Sequence, residues 1–311
     1  MGVPLIGVVG CGRVGVSAAL QIALKGLGDI VLLDIVQGLP QGEALDLSHM
    51  ASILGLDVEI TGSNDYRDMA GADLVVITAG VVRRADMTRM DLLQKNSAIV
   101  SDVSEKVKEY APSSRVIVVT NPLDVMTYVA LKKTGFERER VVGFSGLLDF
   151  GRFRYLVARE LGVSRSSIVG PIIGEHGDSM VLLPRLTHVL GKPLTSLLPK
   201  EKIAELVEKT RKAGAEVISL KGWSASHAPG AGVSLMAEAI LRDTNAVIPS
   251  SIYLRGEYGV DGVCSVVPVV LGSSGVKRVI VLDLDDSERR EFLRSVEVVR
   301  QAQQAVDKLL H

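Results

Sequence analysis

A histidine and an aspartate–arginine pair are the residues in this sequence best suited to acid–base chemistry on a small anion. His176 lies in a glycine-flanked loop, residues 174–178, where a general acid would have room to meet a substrate. Asp149 and Arg152 are three residues apart on a predicted helix, so they share one face of it. A carboxylate such as Asp149 would raise the pKa of a neighbouring histidine and fix its tautomer. The alternatives are a surface ion pair and a structural histidine.

Two further polar segments follow predicted strands. The arginine-rich segment that holds Arg83 and Arg89 comes after a strand at 74–77, and Asn121 follows a strand at 116–119. Loops at the carboxyl ends of strands surround the ligand in an open α/β sheet, so we expect both segments to border one crevice. The alternatives are a solvated basic loop or a helix N-terminal segment for the first segment and a simple turn for the second.

A glycine-rich turn between a strand and a helix predicts a dinucleotide site. Residues 10–15 match the pattern GxGxxG, in which the glycines allow a tight turn and bring the backbone close to a pyrophosphate at the helix N-terminus. Asp34 ends the next strand, close to the ~20-residue offset of a carboxylate that accepts hydrogen bonds from the ribose hydroxyls. An acid there would repel a 2′-phosphate, and residues 35–37 include no arginine to bind one. The sequence therefore favours NAD over NADP.

The elements that must position these residues alternate between strand and helix in the first half of the chain, which predicts a doubly wound parallel sheet. The predicted segments there are strands at 5–9, 30–33, 74–77 and 116–119 and helices at 14–24, 44–53 and 92–110. The second half is predicted as an α+β domain, plausibly with antiparallel strands. Its segments are helices at 147–161, 201–220 and 232–242, apolar stretches at 168–173 and 181–183, strands at 248–253, 263–271 and 279–282, and a long final helix.

Composition sets limits on function. The chain has 311 residues, 47% of them apolar, and a formal net charge of −1, so no global field would hold a nucleic acid. Cys11 and Cys264 have no metal or redox spacing, which predicts neither a metal site nor a disulfide and favours a cytoplasmic protein. We expect no signal peptide, and the late uncharged stretch 262–276 is shorter than the ~20 residues that span a bilayer. Partners are therefore expected to exclude nucleic acid and membrane.

The sequence resembles the lactate/malate dehydrogenase family over nearly its whole length. The segments that carry the resemblance are 10–15, 34–47, 83–89, 119–122, 148–154 and 174–178. The resemblance implies an N-terminal Rossmann NAD-binding domain and a C-terminal α+β substrate domain, and the change of pattern along the chain places their boundary near residue 145, which gives 1–145 and 146–311. It also implies reversible hydride transfer between a 2-hydroxy acid and a 2-keto acid. Arg83 stands where malate-specific members carry an arginine and lactate-specific members a glutamine, so the implied pair is (S)-malate and oxaloacetate, as in the tricarboxylic acid cycle.

The resemblance also implies roles for individual residues. His176 would give a proton to the keto oxygen and take it back, with Asp149 orienting the ring. Arg152 would clamp the 1-carboxylate, Arg89 would polarise the carbonyl, and the loop that carries Arg83 and Arg89 would form a mobile lid. Further implied substrate contacts are Asn121 and Ser224, and the implied cofactor contacts are Gly10, Gly12, Arg13, Val14, Gly15, Asp34, Thr78, Ala79, Gly80, Asn96, Val119 and Asn121.

Three hypotheses about function remain at this stage. The first is a malate-specific enzyme, the second a lactate-specific or broad 2-hydroxy acid enzyme, and the third a non-catalytic NAD-binding protein. Arg83 distinguishes the first two, and an acid–base histidine with its carboxylate argues against the third. The resemblance implies a homodimer or homotetramer. The sequence departs from the family pattern at 85–86, at 150–151 and at Trp223, which precedes Ser224.

Overall fold

A sheet of nine strands runs through the centre of the protein in the computed structural model, which describes residues 2–81 and 87–310. Six of these strands are parallel and come from the first half of the chain: β1 (Leu5–Val9), β2 (Asp29–Leu33), β3 (Ile60–Ser63), β4 (Leu74–Ile77), β5 (Arg115–Val118) and β6 (Val141–Phe144). Their order is β6-β5-β4-β1-β2-β3, with the reversal between β1 and β4. Ligands bind at such a switch point in doubly wound sheets.

The helices of the first half connect these strands and cover the sheet. They are α1 (Arg13–Leu24), α2 (Leu39–Leu54), α3 (Arg89–Tyr110) and α4 (Leu123–Thr134). Strands β1, β2 and β4 are almost entirely buried and apolar, as expected for parallel strands with helices on both faces. A capping box between Thr88 and Asp91 begins α3, because each residue's side chain bonds the other's backbone N–H.

The second half of the chain extends the same sheet and also forms two small sheets, one of three strands and one of two. It adds helices α5 (Gly146–Leu161), α6 (Lys200–Lys221), α7 (His227–Leu241) and α8 (Asp286–Leu310). It also adds short strands β7 (Ile168–Val169), β8 (Ile172–Ile173), β9 (Val181–Leu182), β10 (His188–Val189) and β11 (Lys192–Pro193), followed by β12 (Ala246–Arg255), β13 (Asp261–Gly272) and β14 (Gly275–Val279). Strand β12 pairs antiparallel with β6, and β13 and β14 follow outward, so antiparallel strands continue the parallel sheet.

The predicted α/β fold class, with a doubly wound parallel sheet first and an α+β portion after it, is confirmed, but some predicted elements need correction. The strand predicted at 279–282 is instead β14, because Gly272 and Gly275 pair across a tight turn and start the strand earlier. The apolar stretch predicted at 168–173 is divided into β7 and β8. The pattern missed β3 because only one of its residues is buried, β6 because Gly143 interrupts its apolar run, and α4 because its first eight residues are all buried and show no amphipathic spacing.

Within the described ranges, no helix combines the length and the hydropathy needed to cross a bilayer.

Candidate active site

The glycine-rich turn between β1 and α1 is shaped by close backbone contacts. Gly10 has a φ of +105°, and a Cβ there would lie 2.6 Å from the backbone nitrogen of Ala79. A Cβ on Gly15 would collide with the carbonyl oxygen of Gly10, whereas Gly12 faces open space. Thr78 closes the turn from β4 by donating its hydroxyl to the Gly10 carbonyl at 2.8 Å. The turn thus leaves the N-terminus of α1, where Arg13 and Val14 begin the helix, open to an anion.

The carboxylate of Asp34 is fixed at the end of β2. One oxygen accepts a hydrogen bond from the backbone N–H of Cys11 at 2.7 Å, and the other accepts from the N–H of Val36 at 3.0 Å. Each oxygen keeps a lone pair for a further donor, since a carboxylate has about four acceptor positions. A cleft of about 590 Å³ opens beside it, and its lining includes Gly10, Gly12, Leu33, Asp34, Val36, Tyr66, Thr78, Ala79, Gly80 and Ile99.

Asn96 holds together the two loops that border this cleft. Its side chain is only 1% exposed on α3. Its carbonyl accepts from the N–H of Val81 at 2.8 Å, and its amide donates to the carbonyl of Asn121 at 2.7 Å and to that of Val81 at 3.2 Å. The amide protons are therefore used within the protein, and a direct contact of Asn96 with the cofactor stays a prediction. Val119 is half-buried one residue beyond β5, and its backbone N–H donates a hydrogen bond to the carbonyl of Ile77.

The histidine, aspartate and arginine singled out from the sequence meet in one cluster. Asp149, in the first turn of α5, places Oδ2 2.7 Å from Nδ1 of His176. Its other oxygen, Oδ1, accepts from the guanidinium of Arg152 at 2.9 Å. Asp149 is 1% exposed, whereas the side chains of His176 and Arg152 are 17% and 20% exposed. A buried carboxylate therefore supports two partners that solvent can still reach.

A second buried carboxylate, which was not predicted from the sequence, lies beneath His176. Asp124, 3% exposed in the first turn of α4, accepts from the backbone N–H of His176 at 2.8 Å. Its other oxygen accepts from the hydroxyl of Ser251 on β12 at 2.6 Å. An acid in a helix that is otherwise apolar on nearly all faces was the signal that could have revealed it.

The electrostatics of the cluster favour a charged imidazole. Burial opposes protonation of His176, but the charge and hydrogen bond of Asp149, with the charge of Asp124, outweigh it and raise the pKa of His176 above its usual value. Burial likewise works against ionisation of Asp149, yet His176 and Arg152 hold the pKa of that carboxyl below its usual range. For Asp124 burial prevails and raises the pKa to about 6.

Comparison with known proteins places these features in a family. The sequence model described as "lactate/malate dehydrogenase, NAD binding domain" matches residues 5–143, and the one described as "lactate/malate dehydrogenase, alpha/beta C-terminal domain" matches residues 147–309. The chain belongs to the lactate/malate dehydrogenase family. The resemblance inferred from the sequence is thereby confirmed, and so is the inference of an NAD-binding enzyme.

Individual members of the family are similar to this chain over nearly its whole length. A protein named malate dehydrogenase from Pyrobaculum islandicum is 52% identical over 297 residues, covering 95% of this chain and 96% of the relative. The structure of the malate dehydrogenase from Aeropyrum pernix superposes with a TM-score of 0.94 at 45% identity, covering 96% and 97% of the two chains. A lactate dehydrogenase of Cryptosporidium parvum, solved with lactic acid and NAD, has a TM-score of 0.95 at 39% identity, covering 99% of both chains.

The residues of the glycine-rich turn fit the NAD that this family binds. The backbone at Gly10 and Gly15 packs too closely against its neighbours to admit a Cβ, whereas Gly12 leaves open space in which a pyrophosphate could approach the backbone. The carboxylate of Asp34 stands at the border of the cleft with acceptor positions to spare for ribose hydroxyls. The site therefore has donors for a pyrophosphate and an acceptor for a ribose.

Several predicted site residues lie apart from the cluster or outside the described residues. Arg83 is outside them, and for Arg89 the structure describes the backbone, which begins α3, but not the side chain. Asn121 is exposed beyond β5, and its peptide bond to Pro122 is cis. Ser224 is exposed in the loop 222–226 between α6 and α7.

The cysteines and the possible metal-ligating side chains of the described residues give no sign of thiol or metal chemistry. Among the described residues, no group of three or more His, Cys, Asp and Glu side chains could hold a metal ion. Cys11 and Cys264 are buried free thiols. Burial, with the charge of Asp34, raises the pKa of Cys11 to about 12, so its thiol stays protonated in the glycine-rich turn.

Proposed function

We propose that this protein is an NAD-dependent malate dehydrogenase that interconverts (S)-malate and oxaloacetate. The observation that carries the proposal is the buried Asp149 with His176 on one oxygen and Arg152 on the other. In this arrangement Asp149 holds both the proposed proton donor, His176, and the arginine proposed to bind a substrate carboxylate, Arg152. The names of the Pyrobaculum and Aeropyrum relatives favour malate as the substrate.

His176 is proposed as the acid–base group. Its Nδ1 is bonded to Asp149, which leaves Nε2 as the nitrogen that faces the substrate oxygen. In the reductive direction Nε2 gives its proton to the keto oxygen, and in the oxidative direction it takes the proton from the hydroxyl. The nicotinamide cofactor, when bound, would give a hydride to the keto carbon in reduction and take it from the carbinol carbon in oxidation. The negative charge of Asp149 stabilises the imidazolium in both directions.

Arginines are proposed to recognise the rest of the substrate. Arg152 would bind the 1-carboxylate with its planar fork, since its bond to Asp149 uses one nitrogen and fixes the guanidinium. Arg89 would stabilise the charge that grows on the keto oxygen, and Arg83 would bind the second carboxylate of oxaloacetate. Asn121 and Ser224 are proposed as neutral contacts to the substrate. The loop that bears Arg83 and Arg89 would exclude water when it closes.

A second candidate is a lactate or broad 2-hydroxy acid dehydrogenase. The observation that favours it is the similarity to the lactate dehydrogenase of Cryptosporidium parvum, which is as close in fold as the malate enzymes. The two candidates share the His176 chemistry and differ at Arg83. A non-catalytic NAD-binding protein would have no use for the paired His176 and Asp149.

The finer organisation of the protein is proposed in the same way. Residues 1–145 would form the NAD-binding domain and 146–311 the substrate domain. A homodimer or homotetramer is supported by apolar side chains left exposed on α2 and α7, such as Ile53 and Leu235. A cytoplasmic location is proposed because both cysteines are free thiols.

The experiment is to follow NADH consumption with oxaloacetate in wild type and in His176→Asn. We expect turnover in wild type and a loss of about 10²–10⁴-fold in the variant, the usual contribution of general acid–base catalysis. NADH binding, measured by calorimetry, should be unchanged. His49→Asn, at an exposed position on α2, is the matched control and should retain full activity. Near-normal turnover by His176→Asn would contradict the assignment.

A further inference from the structure

The only tryptophan of the chain lies against the first residue of the cofactor-binding helix. The guanidinium carbon of Arg13, at the start of α1, is 4.0 Å from the ring centroid of Trp223. The Nζ atom of Lys221 is 5.7 Å from the same ring. Trp223 is 43% exposed, so one part of the indole remains open to solvent. Two cations thus converge on one aromatic ring beside the glycine-rich turn.

Helix packing brings the two residues together. Helix α7 packs on α1, and the contact is close enough that a Cβ on Gly230 would overlap Ser17. Helix α6 ends at Gly222, whose φ of +77° turns the chain out of the helix. The loop 222–226 therefore has to pass beside the first turn of α1. Trp223 comes from the half of the chain that carries His176, and Arg13 from the NAD-binding half.

The hydrogen-bonding groups of Arg13 are left without protein partners by this contact. Within residues 2–81 and 87–310, Arg13 makes no hydrogen bond and no ion pair, and its guanidinium lies over the indole of Trp223. A guanidinium stacked by its face keeps its N–H groups directed outward in its own plane. Those groups stay available for an anion at the helix N-terminus.

We propose that Trp223 is a positioning residue for the cofactor, because its indole holds the guanidinium of Arg13 ready to bind the diphosphate of NAD(H). This inference rests on the proposed function only where it is tested by the KM for NADH, which requires turnover. Trp223 acts through Arg13 and touches no reacting atom. The contact also connects the loop that bears Ser224 to the glycine-rich turn.

The expected size of the effect follows from the strength of the contact. A cation–π contact at an exposed position changes an equilibrium by about two- to five-fold. Trp223→Leu keeps an apolar side chain but removes the aromatic face. We expect it to raise the KM for NADH and the Kd for ADP-ribose by about two- to five-fold, with kcat at saturating NADH unchanged. Trp223→Tyr restores a ring face and should recover most of the affinity.

A double-mutant cycle tests whether Trp223 acts through Arg13. Calorimetry would give the Kd for ADP-ribose in Arg13→Met, Trp223→Leu and the double variant. If the indole serves only to position Arg13, the double variant binds no more weakly than Arg13→Met alone. Phe136→Leu is the matched control, because the guanidinium carbon of Arg140 lies 3.9 Å from the centroid of the Phe136 ring just before β6, at the amino ends of the parallel strands, whereas the glycine-rich turn follows the carboxyl end of β1. It should leave the Kd unchanged.

A spectroscopic test uses the single indole of the wild-type protein. Titration with ADP-ribose, which has the diphosphate but no nicotinamide to absorb the emission, should change the fluorescence of Trp223. Adenosine, which lacks phosphate, should leave it unchanged at the same degree of saturation. In Arg13→Met the ADP-ribose response should be lost. An equal response to both ligands would contradict the proposal.

The results that overturn this inference differ from those that overturn the proposed function. An unchanged Kd for ADP-ribose in Trp223→Leu, or additive losses in the double variant, would show that the indole only fills space. These measurements need no turnover. Failure of wild type to reduce oxaloacetate with NADH would instead contradict the proposed function, while the binding cycle would still decide the role of Trp223.

Discussion

The Nδ1 atom of His176 lies 2.7 Å from Oδ2 of Asp149, and the carboxylate that makes this bond is 1% exposed. A buried carboxylate that keeps its charge needs compensation from its partners. His176 and Arg152 provide it, and the pKa of Asp149 stays low despite burial. In return, the carboxylate raises the pKa of His176. Proton donation and carboxylate recognition are thus coupled through one side chain.

The raised pKa of His176 predicts opposite pH profiles for the two directions. Reduction needs the protonated imidazole, so kcat/KM for oxaloacetate should stay level past the ordinary histidine value of about 6.5 and fall as pH rises through the raised pKa. Oxidation needs the neutral ring, so kcat/KM for malate should rise over the same interval. The measurement is initial rate against pH in both directions. Parallel profiles would contradict the acid–base role.

Asp149→Asn should shift these profiles toward lower pH. The substitution keeps the shape of the side chain but removes the negative charge that favours the imidazolium, so the pKa of His176 falls. We expect oxaloacetate reduction at neutral pH to drop by about 10²-fold or more, with part of the loss recovered at lower pH. A profile that keeps the wild-type midpoint would show that another group titrates.

The second carboxylate, Asp124, should support His176 only when it is ionised. Asp124→Asn replaces one of the two acceptor oxygens with an amide donor and removes a negative charge near the ring, so we expect oxaloacetate reduction to fall by about ten-fold above pH 6. Because the pKa of Asp124 is about 6, the difference from wild type should shrink as pH falls below that value.

Ser251→Ala is the matched control for Asp124. It deletes the other hydrogen bond to the carboxylate but leaves the carboxylate in place. Loss of this bond raises the pKa of Asp124 further, so we expect a smaller loss of activity that disappears at pH values well above that pKa. If both variants lose the same activity even there, Asp124 serves packing between α4 and β12 rather than the histidine.

Asp34 should set the preference for NADH over NADPH. Asp34→Ser removes the charge that repels a 2′-phosphate and places a small hydroxyl at the end of β2 in its stead. The ratio of kcat/KM for NADH to that for NADPH should therefore fall by about ten-fold or more, in line with the loss of one charged contact. Asp46→Ser, on the exposed face of α2, is the control and should not change the ratio. Equal use of both cofactors by wild type would contradict the assignment.

The sequence predicted four of the six parallel strands, β1, β2, β4 and β5, because their signals are local. Buried parallel strands are continuous apolar segments, and the glycines of the turn at 10–15 are required by contacts within a few residues of β1 and β4. The pairing of β12 with β6 is different, since it joins residues about 100 positions apart. Nothing in the local pattern of either strand showed that the two halves of the chain share one sheet.

The site was predictable to the extent that its residues follow strands or share a helix face. Asp149 and Arg152 could be paired by spacing alone, and the loop of His176 was conspicuous for its glycines. Asp124 was missed because its role depends on Ser251 and on the backbone of His176, both far away in sequence. The contact of Trp223 with Arg13 was missed for the same reason, since it depends on the packing of α7 on α1.

Substrate choice is the central claim, and it depends on Arg83. The most direct test is to measure kcat/KM with NADH for oxaloacetate and for pyruvate, in wild type and in Arg83→Gln, at one pH and one salt concentration. A site built for a buried charged contact can reject an analogue that lacks it by about 10⁴-fold, so wild type should strongly prefer oxaloacetate. In Arg83→Gln, activity on oxaloacetate should fall sharply and activity on pyruvate should rise. A ratio between the two substrates that does not change on substitution would contradict the assignment of malate as the substrate recognised through Arg83.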